Sequence, residues 1–232
     1  MVRQYGHTKQ ILIVGDTKED APYHPLDEAM RSVLARLFAP LGFVTFTTDE
    51  QAFDYLDPTS TDICVSFVDR WKSELSQAGL ENIKHFMQEG NLFLVLHHGL
   101  SYQTTDAFAR MVGARFISHP DMQTLSFTWD TSHPLCKEQK GFSLYEEPYR
   151  FELFDDDKQI FLWFESDGNR HPAGWSKRYG KGDLVYLMPG HDTRSFVHAG
   201  YRNVLHNTIR TWSEFSAQRI DQQGFQESQE VL

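Results

Sequence analysis

The stretch Leu92 to Gly99 reads LFLVLHHG: five apolar residues, two histidines and a glycine. An unbroken apolar run this short is a strand covered on both faces. A helical pattern precedes it, from about Ser73 to Gln88. It would bury Leu75, Leu80, Ile83 and Met87, with Gly90 placed to end it. A helix feeding a doubly covered strand is half of a βαβ unit, and such units build parallel sheets. His97 and His98 then fall at the strand's carboxyl end, where doubly wound sheets bind their ligands.

The same pattern extends upstream. Ile11 to Val14 is another continuous apolar run, closed by Gly15-Asp16. Pro25 opens a helical pattern in which Leu26, Met30, Val33, Leu34 and Leu37 recur at three- and four-residue steps. Proline suits a first helical turn, where its missing N–H needs no partner. That helix should stop near Pro40 and Gly42, before a strand from Phe43 to Phe46. Asp62 to Val68 is a further strand, ending at Asp69-Arg70-Trp71.

Beyond Gly113 the pattern changes. Arg115 to Ile117, Gln123 to Trp129 and Gln159 to Phe164 are shorter strand patterns with polar turns between them. Leu184 to Met188 is an apolar run entered through a Gly180-Lys181-Gly182 hairpin turn and left through Pro189-Gly190-His191-Asp192. A closing helix, about Tyr201 to Phe215, would bury Val204, Leu205, Ile209 and Trp212. Ala217 to Leu232 is polar and rich in Gln and Glu, the composition of a surface or disordered tail. With no repeat and no linker, the expectation is one α/β domain over residues 1–215 and a tail over 216–232.

Composition narrows the partners. The 232 residues are 40% hydrophobic and 14% aromatic, enough for one sizeable core. The formal charge of −10 opposes phosphate backbones and anionic membrane surfaces, so neither nucleic acid nor a membrane is expected as a partner. The two cysteines, Cys64 and Cys136, form no disulfide framework, which suits a reducing compartment. Met1 to Gln10 is polar and has no apolar signal core, and a cytoplasmic location is expected. Exposed aromatics near the late strand, such as Phe196 and Tyr201, would suit a homo-oligomer interface. There is no G-x-S-x-G elbow, phosphate loop, G-x-G-x-x-G fingerprint or H-E-x-x-H motif, so serine hydrolase, nucleotidase and dehydrogenase readings lose their support.

The candidate site residues gather at strand ends: Asp16, then Asp69 and Arg70, His97 and His98, and His191 and Asp192. Adjacent residues of an extended strand point to opposite faces, so only one of His97 and His98 faces a pocket unless the chain turns sharply between them. A strand cap and a structural histidine are the alternative. Asp192 could instead cap the following segment, and Asp16 and Arg70 could form an internal ion pair. Glu146 and Glu147 lie in an aromatic-rich loop and read equally as site carboxylates or a solvated acidic loop. Tyr149 and Trp175 offer flat faces of the kind sugar rings stack on, against the alternative of core aromatics. His119 and His133 each precede proline, which favours an extended turn. His7, His24, His85, His171 and His206 receive no role.

The ordered segments resemble the trehalose-utilisation (ThuA-like) family. They are LFLVL running into His97-His98-Gly99, His119-Pro120, His133-Pro134, Glu146-Glu147 with Tyr149, Pro172-Ala173-Gly174-Trp175, Gly180-Lys181-Gly182 and Pro189-Gly190-His191-Asp192. The resemblance spans about Ile11 to Phe215. It implies a flavodoxin-like, three-layer α/β/α sandwich with a mostly parallel sheet, as in class I glutamine amidotransferases, and a role in trehalose or related sugar use. Where an amidotransferase has its nucleophilic cysteine, this chain has His97-His98, so glutaminase activity is not expected. The family's aspartate-glutamate pair reads Glu146-Glu147 here, with Pro148 inserted before Tyr149, and its doubled glycine is reduced to Gly90-Asn91.

The leading expectation is an enzyme acting on a small-molecule sugar or keto-sugar, with His97, His98, His191 and Glu147 as acid–base groups. Asp16, His119, Glu146, Tyr149, Trp175 and Asp192 would bind the substrate. One alternative is a metal-dependent version of the same site, with a divalent ion such as zinc on ligands the sequence leaves undefined. The other is a non-catalytic sugar-binding or assembly module.

Overall fold

A computed structural model describes residues 8–136, 140–154 and 157–230. His7 lies outside the described residues. The chain enters through β1 (Lys9–Gly15) and α1 (Glu28–Phe38), then β2 (Gly42–Thr47) and β3 (Ile63–Phe67). Asp27 caps α1, its carboxylate accepting from the Met30 amide at 2.9 Å, so the helix starts after Pro25 and not at it. α2 (Gln77–Gln88) likewise begins at its Ser76 cap, short of the expected Ser73. Its buried residues Leu80, Ile83 and Met87 recur at helical spacing. β4 (Leu92–Leu96) follows, with all five side chains fully buried.

After β4 the chain runs through α3 (Asp106–Val112), β5 (Ala114–Ser118), β6 (Gln123–Trp129), β7 (Phe142–Glu146) and β8 (Arg150–Leu153). β9 (Gln159–Ser166), β10 (Asn169–Tyr179) and β11 (Gly182–Leu187) are successive hairpin strands. The β9–β10 turn is Asp167-Gly168, both at positive φ, the geometry that matches hairpin twist. Gly180 turns β10 into β11, as expected. α4 (Thr193–Val197) and α5 (Ala199–Glu230) close the fold, and Phe196 and Tyr201, expected to be exposed, are buried core aromatics there. The last helix runs through most of the segment expected as a tail, because its Gln, Glu and Arg residues are good helix formers.

The main sheet has nine strands in the order β2-β1-β3-β4-β11-β10-β9-β6-β7. Its first five pair in parallel and its remaining pairings are antiparallel, so the sheet is mixed rather than mostly parallel. The cause is local: hairpins, not helical crossovers, connect β9 to β11. β5 and β8 form a separate two-stranded ladder. One apolar cluster runs through both halves, from Ile11 on β1 to Leu125 and Phe164 on the antiparallel side. Trp175 belongs to it. Its indole is fully buried, stacked on Tyr186, and donates to the Val112 carbonyl at 2.7 Å, so it offers no face to a ligand.

Candidate functional site

At the end of β4 the backbone turns at once. His97 has φ +48°, a left-handed conformation uncommon for a non-glycine residue, and starts a 3₁₀ turn over His97–Leu100. Gly99 lets this turn dock on β3, because a Cβ there would sit 2.1 Å from the Ser66 carbonyl oxygen. Ser66 Oγ donates to the Gly99 carbonyl at 2.7 Å. The sharp turn brings both imidazoles onto one side. His98 stacks on His24 with centroids 4.3 Å apart, and His97 meets the same ring edge-on at 5.3 Å.

The two histidines differ in reach. His98 is fully buried, donates from Nε2 to the Phe67 carbonyl at 3.1 Å, and has no partner at Nδ1. Burial drives its pKa well below the usual histidine range. It supports the site from behind rather than facing a ligand. His97 donates from Nδ1 to the Met188 carbonyl at 2.7 Å, which turns Nε2 inward. Tyr149 Oη donates to that Nε2 at 3.0 Å, and Glu147 Oε2 lies 3.2 Å from it.

β11 supplies the next group. Gly190, at φ +147°, carries the chain past Phe196 and His97, which would stand about 3 Å from any Cβ there. Buried Glu146 fastens this turn: Oε1 accepts from the Gly190 amide at 2.8 Å, the His191 amide at 3.4 Å and the Ser195 hydroxyl. Glu146 therefore positions the chain and does not contact a ligand. Asp192 caps α4, accepting from the Arg194 amide at 2.8 Å and pairing with its guanidinium, so the capping alternative holds. His191 points inward, with Nδ1 3.3 Å from Glu147 Oε1 and 3.1 Å from His24 Nε2. The Glu147 hydrogen bond raises the His191 pKa against the effect of burial. Burial alone would raise Glu147, but the hydrogen bond from His191 and the adjacent His97 ring outweigh it and hold the carboxyl well below its usual range.

His24, in the loop between β1 and α1, completes the cluster and was given no role by the sequence. Its Nδ1 donates to Asp69 Oδ2 at 3.0 Å, while burial lowers its pKa. Asp69 is held in turn by Asp16, which accepts its amide at 2.7 Å and the Arg70 Nε at 2.6 Å. Asp16 is fully buried, so the ion-pair alternative holds for it and it does not touch the cavity. The ligand atoms of His24, His97, Glu147 and His191 all lie within 4.8 Å of one another, a set able to hold a metal ion.

His24, Glu147 and His191 form the floor of a 480 Å³ cavity, with the buried His97 behind them. Tyr23, Trp71, Phe116 and Tyr149 supply aromatic walls. His119 stands on the rim, its Nδ1 donating to the Pro120 carbonyl at 2.9 Å and its Nε2 3.7 Å from Glu147 Oε1. The structure thus gathers His97, His119, Glu147, Tyr149 and His191, sets His98, Asp16 and Glu146 behind them, and leaves Trp175 and Asp192 outside. The expectation missed Tyr23, Phe116 and above all His24. Only the His-Asp pairing across 45 positions marks His24, and it has no local signature.

The family model described as trehalose utilisation, ThuA, matches residues 10–212. No curated protein matches the sequence. Among solved structures, a chain described as thua-like from Bacteroides uniformis superposes with TM-score 0.69 at 17% identity, covering 90% of this chain and 94% of its own. A second, from Parabacteroides merdae, gives 0.69 at 16% identity, covering 90% of each. A catalytic mutant of the GH42 β-galactosidase Gan42B of G. stearothermophilus gives 0.59 at 13% identity, covering 89% of this chain but 30% of the larger one. At such identities the likeness is one of fold.

Proposed function

The chain belongs to the trehalose-utilisation (ThuA) family, and on that footing we propose that it processes a sugar or keto-sugar in the cavity above the histidine cluster. One observation carries this reading: the cavity sets flat aromatic walls directly against ionisable groups. Sugars present the matching surfaces, apolar C–H faces that pack on rings and hydroxyl edges that need polar partners. Proton transfer falls to the groups that reach the cavity: His119, His191 and Tyr149, with Glu147 sharing the His191 proton. Imidazoles suit this work because their pKa lies near neutral pH.

The parallel strands and the elbow at His97 read as an amidotransferase-like scaffold with an imidazole in the thiol's place. Glutamine hydrolysis is not part of the proposal. Cys64 is buried within β3, and burial pushes the Cys136 thiol up to about 12. Such thiols are inert as nucleophiles and suit the cytoplasmic location we assign.

A binding and turnover panel of trehalose, glucose and their 3-keto derivatives tests the proposal. A sugar at one hundred times its Kd should stabilise the protein by about 2.7 kcal/mol. Tyr23, 83% exposed on the cavity wall, can be removed without touching the core. Tyr23→Ala should weaken the sugar while leaving the melting temperature of the free protein unchanged. If no sugar in the panel binds or is converted, the proposal fails.

A further inference from the structure

We propose that His24 Nε2, His97 Nε2, His191 Nδ1 and the Glu147 carboxylate form a centre for a divalent transition-metal ion of the zinc class. The inference rests on reading the cavity as the active site. It deepens that reading by making His191 a ligand, which leaves His119 and Tyr149 as the proton carriers.

Convergence of the four groups carries the argument. Asp69 can only accept from His24 Nδ1, and the Met188 carbonyl can only accept from His97 Nδ1. In the neutral ring each Nε2 is then an acceptor, and that of His97 takes the Tyr149 hydroxyl at 3.0 Å. The His97 lone pair faces a carboxylate oxygen at 3.2 Å, and that of His24 faces His191 Nδ1 at 3.1 Å. The ligand atoms of the four groups lie within 4.8 Å of one another, close enough for one ion to meet them all. Without an ion the Tyr149 hydroxyl and a His191 ring proton bridge these groups; a bound cation would replace both bridges and meet all four groups at once.

The geometry agrees. Ligands on a tetrahedral zinc at ordinary bond lengths stand about 3.3 Å apart. Three contacts between the groups measure 3.1 to 3.3 Å, two of them through different oxygens of Glu147. The whole set lies within 4.8 Å, so an ion would draw the ligands together. The outer contacts are those of a metal site, with one ligand histidine tied to a carboxylate and another to a backbone carbonyl. Three imidazoles with one carboxylate favour zinc and its neighbours over calcium or magnesium. His24, Glu147 and His191 also line the cavity, so an ion held there would meet a bound ligand's oxygens. Its contribution would be to polarise a carbonyl or hydroxyl oxygen.

The test uses untagged full-length protein, stripped with chelator and titrated with zinc by calorimetry. The expected result is one ion per chain. His24→Ala and Glu147→Gln should weaken binding at least tenfold, and Asp69→Asn, which touches no ion, 10- to 100-fold. His119→Ala should leave it unchanged. Circular dichroism checks that each variant folds. Cobalt gives an independent readout through visible bands whose intensity reports low coordination number, and these should vanish in His24→Ala. Absence of stoichiometric zinc and cobalt binding to wild type, or affinity indifferent to His24 and Glu147, overturns the centre. Sugar conversion by metal-free protein would overturn it as a catalytic centre while sustaining the sugar reading. Zinc bound at this site with no sugar bound or converted would sink the sugar reading alone.

Discussion

His133 and His98 both stay neutral in the fold, and acid should expose that. The Leu135 amide donates to His133 Nδ1 at 3.2 Å, so its proton sits on Nε2 against Ser176 Oγ. Burial lowers its pKa, as it does for His98. Below about pH 6.5 the unfolded chain takes up protons at these positions more readily than the folded chain does, so stability falls as pH falls. The raised pKa of His191 acts in the opposite sense, so a single substitution must isolate the effect. His133→Asn should remove part of the stability lost between about pH 7 and 5.5. Urea unfolding at the two pH values measures it, and a loss equal to wild type would refute the assignment. The same scale shows why the site was only partly legible. His97 and His191 announce themselves by ending apolar runs. His24 stands in a loop, and its meaning comes from Asp69 and His191, 45 and 167 positions away. Trp175 shows the converse, since composition cannot tell a core indole from a ligand-facing one.

Between β4 and its 3₁₀ turn, a single missing Cβ decides the site's geometry. Ala at Gly99 would drive a methyl into the Ser66 carbonyl, at 2.1 Å, and neither backbone can yield without moving His97 and His98. Overpacking of this kind costs about 1–3 kcal/mol or more. Gly168 is the control: φ is +71° but nothing lies within 4 Å, so Gly168→Ala meets only the left-handed strain of about 1–2 kcal/mol. Gly99→Ala should therefore alter the histidine ring signals in an NMR spectrum, whereas Gly168→Ala should leave them in place. Unaltered rings in Gly99→Ala would mean that the elbow is not held by this contact. Strands covered on both faces, such as β3 and β4, are legible because the run is apolar throughout in β4 and broken only by Ser66 in β3. β7, β8 and β10 escaped reading because half their residues face outward or carry polar groups, so no run forms.

Across the whole molecule, the site is assembled from the β1–α1 loop and the ends of β3, β4, β7 and β11, so it straddles the border between parallel and antiparallel strands. Such a site keeps its geometry only if both halves fold as one unit. The continuous apolar cluster provides the means: Leu94 on β4 and Phe161 on β9 belong to the same packed body, joined through β11 and β10. Leu94→Ala, at a fully buried position, should cost about 2–5 kcal/mol. In a cooperative fold that loss is shared by residues far from it. Native-state hydrogen exchange should then show the slowest amides of β9 and β6 losing as much protection as those of β1 and β3. If β9 and β6 kept their protection while the parallel strands lost theirs, the halves would be separate folding units. The histidine cluster would then be an interface between them, its ligand geometry set by docking rather than by one shared core.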